Sequence, residues 1–201
     1  MYEKYFKRLL DLFFACFGIV VLSPIFIGTM IALYYSNNGK PFFFQERPGK
    51  DEILFKLIKF KTMNDKKDIE GNLLPMGERI TKLGSFLRKT SLDEIPQLIN
   101  VLRGEMSLIG PRPLLKEYLP MYTNRQKLRH SVKPGITGWA QVNGRNSVTW
   151  KDKFEMDNWY IENMSFKLDS TIFFKTVKKI VTKSDVASIE LAVTQQDFLV
   201  E

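Results

Sequence analysis

The chain is poor in the residues that build metal and disulfide scaffolds, with one cysteine, Cys16, and one histidine, His130, in 201 residues. A single thiol excludes an internal disulfide, and no Cys/His set exists for a structural zinc site. His130 stands alone and is given no catalytic role. Charge is missing from Leu12 to Tyr35, 24 consecutive positions, which excludes an ordinary solvated helix there. Basic residues are missing from Ser184 to Glu201, an acidic stretch that reads as a tail. Gly135, Gly138 and Gly144 fall close together, yet no strand-then-helix setting makes them a dinucleotide fingerprint or a P-loop.

What the chain does have is positive charge, +8 overall. That balance suits a phosphorylated ligand or an anionic membrane surface. The length suits one domain, with or without an appendage.

As one helix, the uncharged run would extend about 36 Å, against a bilayer core of about 30 Å. Ser23-Pro24 falls at its middle, where proline removes a backbone hydrogen bond; the Ser23 hydroxyl is a local substitute partner. Lys4, Lys7 and Arg8 precede the run and Lys40 and Arg47 follow it. With both flanks basic, the positive-inside rule chooses no orientation. A kinked crossing and a re-entrant hairpin that enters and leaves by one face both satisfy these residues, and a buried soluble helix is a third option. A cleaved signal peptide does not fit, because the run is too long and no small-residue site closes it. Near the other end, Ile172, Phe173, Val177, Ile180 and Val181 form an apolar stripe beside Lys175, Lys178, Lys179 and Lys183. Such a helix suits either the headgroup layer or a packed core.

Between these segments, Asn37 to Pro41 reads as a turn, Pro41 to Gln45 as an aromatic strand, Arg47 to Lys50 as a turn and Ile53 to Met63 as the strand's partner. On that partner Lys59 and Lys61 share a face with Phe55 and Leu57. Asn64 to Lys82 reads as loop with one helical turn, and Leu114 to Val132 as a basic helix interrupted at Pro120.

The stretch Thr90 to Leu98 holds two adjacent carboxylates, Asp93 and Glu94, beside Arg88 and Lys89. Ser91 and Glu94 have capping-box spacing, and Leu92, Ile95, Ile99 and Leu102, with Leu98, recur as a helical stripe. Pro96 complicates that start and moves the cap toward Asp93. Off the stripe and in a first turn, Asp93 is either a carboxylate kept ionised as a nucleophile or metal ligand, or simply one of the acidic residues that first turns favour. Arg112, locked between Pro111 and Pro113, is presented with little backbone entropy to lose and suits a phosphate. The glycines after Pro134 allow close backbone approach to a ligand. These residues together describe phosphate chemistry at a bilayer surface, with Mg²⁺ on Asp93 or Glu94.

The phrases Phe44 to Gly49, Lys59 to Met63, Ser91 to Leu98, Met106 to Pro113 and Pro134 to Arg145 closely resemble the bacterial monotopic phosphoglycosyl transferases, in the family's order and over roughly the first 180 residues. Larger relatives carry an additional multi-span N-terminal region, and the chain looks like the smaller catalytic form.

The resemblance implies a helix-dominated α+β fold. Residues 1–40 would form a re-entrant membrane helix broken at Ser23-Pro24, 41–183 a cytosolic domain with short strands and interfacial helices, and 184–201 the acidic tail. It implies transfer of a sugar phosphate from a UDP-sugar to polyprenyl (undecaprenyl) phosphate in two displacements through Asp93. Glu94 is then tied to Mg²⁺, and Lys59, Arg88, Arg112 and Arg145 line the phosphate region. Asp157 is a further nucleotide or phosphate contact in this reading. The expected setting is the inner leaflet of the bacterial cytoplasmic membrane, with anionic lipid as a partner, a second copy of the chain admitted as another, and no nucleic acid. A non-catalytic basic membrane module is the competing reading. Within enzymes the competitor is a transferase using CDP-alcohols, which needs aspartates on membrane helices where Leu12 to Tyr35 has none.

Overall fold

The computed structural model describes residues 2–144 and 148–182. A π-helical turn, Tyr2–Phe6, leads into helix α1, Lys7–Ser36. Pro24 lies inside α1, and the helix continues through it. Proline has no N–H to offer the Val20 carbonyl, and Ser23 Oγ donates to that oxygen instead, at 2.7 Å.

A hairpin follows, strands β1 (Phe42–Pro48) and β2 (Leu54–Phe60), antiparallel with Phe42 opposite Phe60 and Pro48 opposite Leu54. The turn expected at Arg47 to Lys50 lies slightly later, because β1 runs on to Pro48 and Gly49 N donates to Ile53 O at 2.9 Å. Asn64 to Thr81 is loop with one helical turn, α2 (Met76–Arg79), followed by α3 (Lys82–Lys89). Thr81 caps α3 by accepting from Gly84 N at 2.9 Å.

Helix α4, Gln97–Arg103, is preceded by a short 3₁₀ turn, Leu92–Glu94. The capping box expected at Ser91 does not form. Ser91 sits at φ 55° with no capping bond, and Pro96 takes the cap position of α4. A proline is harmless there because its missing N–H would have no helical partner. Strand β3 (Ser107–Ile109) pairs in parallel with β4 (Gly135–Thr137), a sheet the sequence reading did not contain.

Between β3 and β4 the expected basic helix is replaced by short pieces. These are a 3₁₀ turn at Lys116–Met121 that contains Pro120, α5 at Asn124–Lys127, and a second 3₁₀ turn at Leu128–His130. A capping box does form here, where Thr123 and Gln126 start α5 reciprocally. Helices α6 (Trp139–Asn143), α7 (Trp150–Glu162) and α8 (Phe166–Thr182) complete a helix-dominated α+β fold with two small sheets.

The main core joins β2, α3 and α4 through Phe55, Leu57, Phe60, Leu87, Ile95, Leu98 and Val101. Ala15 and Leu33 of α1 belong to the same cluster, and Ile19, Leu22, Phe26 and Met30 pack against it. These six positions recur at intervals of three or four, so one stripe of α1 covers the domain along most of its length. Both ends are tied down as well. At the start Lys7 Nζ meets Asp169 Oδ2 at 2.6 Å, and Arg8 donates to the Val101 and Leu102 carbonyls at 2.7 and 3.1 Å. At the end Asn37 Nδ2 donates to Lys61 O at 2.7 Å.

The opposite face of α1 is bare. Phe13, Phe17, Val20, Ile27 and Ile31 are among its exposed side chains. Helix α8 extends this surface, with Ile172 buried while Phe173, Phe174, Val177, Ile180 and Val181 are exposed, and Phe14 stacks on Phe173. So large an apolar face is foreign to a solvated monomer and marks a membrane-bound protein. By length and composition α1 is sufficient to cross a bilayer. The acidic tail lies outside the described residues.

Candidate active site

Four elements bring charge to one place. Lys59 comes from the end of β2, Arg88 from the last turn of α3, Asp93 and Glu94 from the 3₁₀ turn before α4, and Arg112 from the segment after β3. Glu94 is the centre, its Oε1 accepting from Lys59 Nζ at 2.9 Å and from Arg112 Nη2 at 3.0 Å. Its side chain is 18% exposed, so neither ion pair is a loosely solvated one. Arg88 is held beside the pair by donating to Thr62 Oγ1 at 2.9 Å, and its Nη2 lies 3.1 Å from Met63 Sδ.

Asp93 differs from its neighbour. No described residue gives its carboxylate a hydrogen bond or a close ion pair, although Lys59, Arg112 and Arg88 all lie near enough to act on it. Burial pushes its carboxyl up to about 6, with the Glu94 charge adding to the rise and the three cations opposing it. This corrects the expectation of a carboxylate held ionised by a helix dipole, because a three-residue turn carries almost none and α4 begins only at Gln97. Burial also acts upward on Glu94, but Arg112 and Lys59 outweigh it and hold that carboxyl well below the usual range.

Of the other residues singled out, Lys61 turns away and pairs with Asp65. Asp157 lies behind the site, nearly fully buried, with Oδ2 2.9 Å from Arg129 Nη2. Burial pushes its carboxyl up to about 6 against the pull of Arg129. Arg129 also donates to the Arg112 carbonyl at 2.7 Å and to Tyr122 Oη at 3.1 Å. It thus fixes the backbone that carries Arg112. Nothing in the sequence marks Arg129, one of four basic residues between Arg125 and His130. His130 packs edge-on against Tyr122, and burial, with Arg129 and Lys127, pushes its imidazole down to about 4, so it is neutral at pH 7. Arg145 lies outside the described residues.

Of the three glycines expected to approach a ligand, Gly135 and Gly138 approach the backbone of Gly110 instead, and Gly144 faces the Val148 side chain. A side chain on Gly110 would begin 2.6 Å from Lys133 O, one on Gly135 2.1 Å from Gly110 N, and one on Gly138 2.2 Å from Gly110 O. They close the β3–β4 seam that sets the path to Arg112.

Among the described residues no three or more His, Cys, Asp or Glu side chains gather into a metal cage. Asp93 and Glu94 still offer hard oxygens of the kind Mg²⁺ takes, one or two at a time, together with substrate phosphates. A carboxyl pushed up by burial and then by its like-charged neighbour is a site that a shared cation would relieve. The residues present therefore fit a metal shared with a substrate.

Cations converging on paired carboxylates, in a chain with a large exposed apolar face, suit a class of membrane-associated enzymes whose site can hold an anionic group. Comparison with known proteins narrows the class to a family. The family model for bacterial sugar transferases matches residues 2–183, and the chain belongs to that family. It is 52% identical over 181 residues to the uncharacterized sugar transferase EpsL of Bacillus subtilis (strain 168), with 90% of this chain and 89% of that protein covered. The UDP-galactose-lipid carrier transferase of Erwinia amylovora is 39% identical over 200 residues, with 91% of this chain and 42% of that protein covered. The UDP-glucose:undecaprenyl-phosphate glucose-1-phosphate transferase of Klebsiella pneumoniae is 40% identical over 186 residues, with 87% and 40% covered. The chain thus spans most of the Bacillus relative and less than half of the other two.

Proposed function

We propose that this chain transfers a sugar-1-phosphate from a UDP-sugar to undecaprenyl phosphate in two displacements, as the first membrane step of glycan assembly. One observation carries the reading, the division between the two carboxylates. Glu94 is engaged by Lys59 and Arg112, whereas Asp93 has no close partner among the described residues. An anchored carboxylate organises cations, and an unpartnered one beside them can attack.

In the first step an Asp93 oxygen attacks the β-phosphorus of the donor. The bond from that phosphorus to the bridging oxygen breaks, and UMP leaves with the electron pair. In the second an oxygen of the acceptor phosphate attacks the same phosphorus, the acyl phosphate bond breaks, and the Asp93 carboxylate is restored. Lys59, Arg88 and Arg112 lie where charge would be carried on phosphate oxygens. Mg²⁺ held by Asp93 or Glu94 would supply neutralisation of the diphosphate charge.

The membrane seating belongs to the same reading. A helix tied at both ends and along one stripe to a single body supports entry and exit by one membrane face, with the Ser23-Pro24 step at its deepest part and the catalytic domain on the cytosolic side. The headgroup plane is where the acceptor phosphate resides, so a site fixed at that depth meets it already oriented.

The test is intact-protein mass after mixing the purified protein with Mg²⁺ and a panel of UDP-sugars, without lipid acceptor. A gain of one sugar phosphate with UMP release is expected, and Asp93→Asn should abolish both while remaining folded. An adduct that persists in Asp93→Asn would remove Asp93 as nucleophile.

A further inference from the structure

A second gathering of cations lies at the other end of α4. Helix α4 closes at Gly104, which sits at φ 82° in the left-handed region. Arg8 Nη2 and Lys133 Nζ lie 3.4 and 3.6 Å from the point where a side chain on Gly104 would begin. Two cations therefore converge on a backbone that offers them no side chain.

Little anionic charge answers them. Arg8 satisfies part of itself on the Val101 and Leu102 carbonyls. Lys133 is half-buried and has neither a hydrogen bond nor a salt bridge among the described residues. Burial pushes its ammonium down, and Arg8 and Lys50 push it the same way, against one nearby acid, Asp11. Asp11 is itself committed, Oδ1 accepting from Ser107 Oγ and Leu108 N, both at 3.0 Å. Glu105, next to Gly104, accepts from Asn100 Nδ2 at 2.6 Å. Lys133 thus has an acid nearby but none in contact, and a part-buried cation so placed gains from an anion set directly against it.

The position says what that anion is attached to. Arg8 opens α1, and the exposed apolar face starts beside it with Tyr5, Phe6 and Leu9. Opposite, Lys50 stands in the hairpin turn whose Ile53 and Leu54 are also exposed. The cations are thus at the foot of the lipid-facing surface, at the far end of α4 from Asp93 and Glu94.

We infer that Arg8 and Lys133, above Gly104, bind the phosphate of an anionic phospholipid headgroup at a site separate from the reaction centre. The inference rests on the reading that the α1 face lies in lipid. A guanidinium and an ammonium around one phosphate give charge-assisted hydrogen bonds that fix both the depth and the rotation of the domain. The site would hold one lipid in place rather than attract many.

The test uses the full chain in nanodiscs of phosphatidylethanolamine with a minority of phosphatidylglycerol, released into native mass spectrometry. Wild type is expected to carry one phosphatidylglycerol. Lys133→Gln should lower the bound fraction about tenfold, the worth of one charge-assisted hydrogen bond in a part-buried site, and Lys133→Arg should restore it. Lys178→Gln, an exposed lysine on α8, should change nothing. Equal retention by wild type and Lys133→Gln overturns the site, as does equal loss from Lys178→Gln, which would mean diffuse attraction. Displacement of the lipid by inorganic phosphate would reassign the site to a free anion and overturn the headgroup. Failure of wild type to enter nanodiscs at all would instead count against the membrane seating.

Discussion

Asp93 and Glu94 are neighbours in sequence with opposite electrostatic fates. Glu94 gains two cations at hydrogen-bond distance, and Asp93 is left with burial and a like charge beside it. The sign of the pH dependence follows. A carboxyl pushed up to about 6 is protonated below that pH and cannot attack, so adduct formation is expected to fall as pH drops through about 6. Glu94→Gln removes the like charge and leaves Lys59 and Arg112 to act on Asp93, and both changes lower its pKa. The acid limb should move down by about one unit or more, and the Mg²⁺ titration should weaken. A limb that stays at its wild-type position in Glu94→Gln would show that Glu94 does not set the Asp93 charge. The residues of this cluster were legible in the sequence as adjacent carboxylates, a lysine and two arginines. Their electrostatics were not, because Pro96 moves the helix start past both carboxylates and leaves them on a short turn with almost no dipole.

Among the elements, α4 does more than its seven residues suggest. Asn100 is fully buried and lies flat against β2, its Oδ1 accepting from Ile58 N at 3.0 Å and its Nδ2 donating to Lys56 O at 2.8 Å. One side chain thereby stands in for a third strand at the open edge of β2, upstream of Lys59. Asn100→Ala strands the buried Ile58 N–H and leaves the part-buried Lys56 carbonyl to water, and is expected to cost about 2 kcal/mol, read as a lower melting temperature in detergent. A melt within a degree of wild type would mean that water replaces the amide.

Of the stripe expected around Asn100, Leu92, Ile95, Leu98 and Leu102 join the core, whereas Ile99 does not and the fully buried Val101 was outside it; the hairpin and the long apolar run were readable as well. The parallel pair β3–β4 was not, since strands of three residues leave no periodicity to detect. The expected helix from Leu114 to Val132 failed because Pro120 and the caps at Thr123 break it into turns. Arg129, which ties Asp157 to the Arg112 backbone, shows only as one more basic residue.

At the scale of the molecule, α1 is at once the lipid-facing surface and a wall of the core. With its first turn tied to α4 and Asp169 and its last to Lys61, both ends are expected on one face of the membrane. Single cysteines placed at Glu3 and Lys40, in a chain with Cys16 replaced by serine, should label from the same side in inverted vesicles. Labelling from opposite sides would establish a crossing and sink the re-entrant reading.

The stripe from Ala15 to Leu33 also bears on how this protein can be handled. Cutting α1 away would uncover Phe60, Leu87, Leu98 and Val101, the middle of the main core cluster among the described residues. A water-soluble catalytic fragment therefore cannot be obtained by trimming. It has to be sought by repainting the outer side of the helix, at positions such as Phe17, Val20 and Ile27, while the inner stripe is left alone.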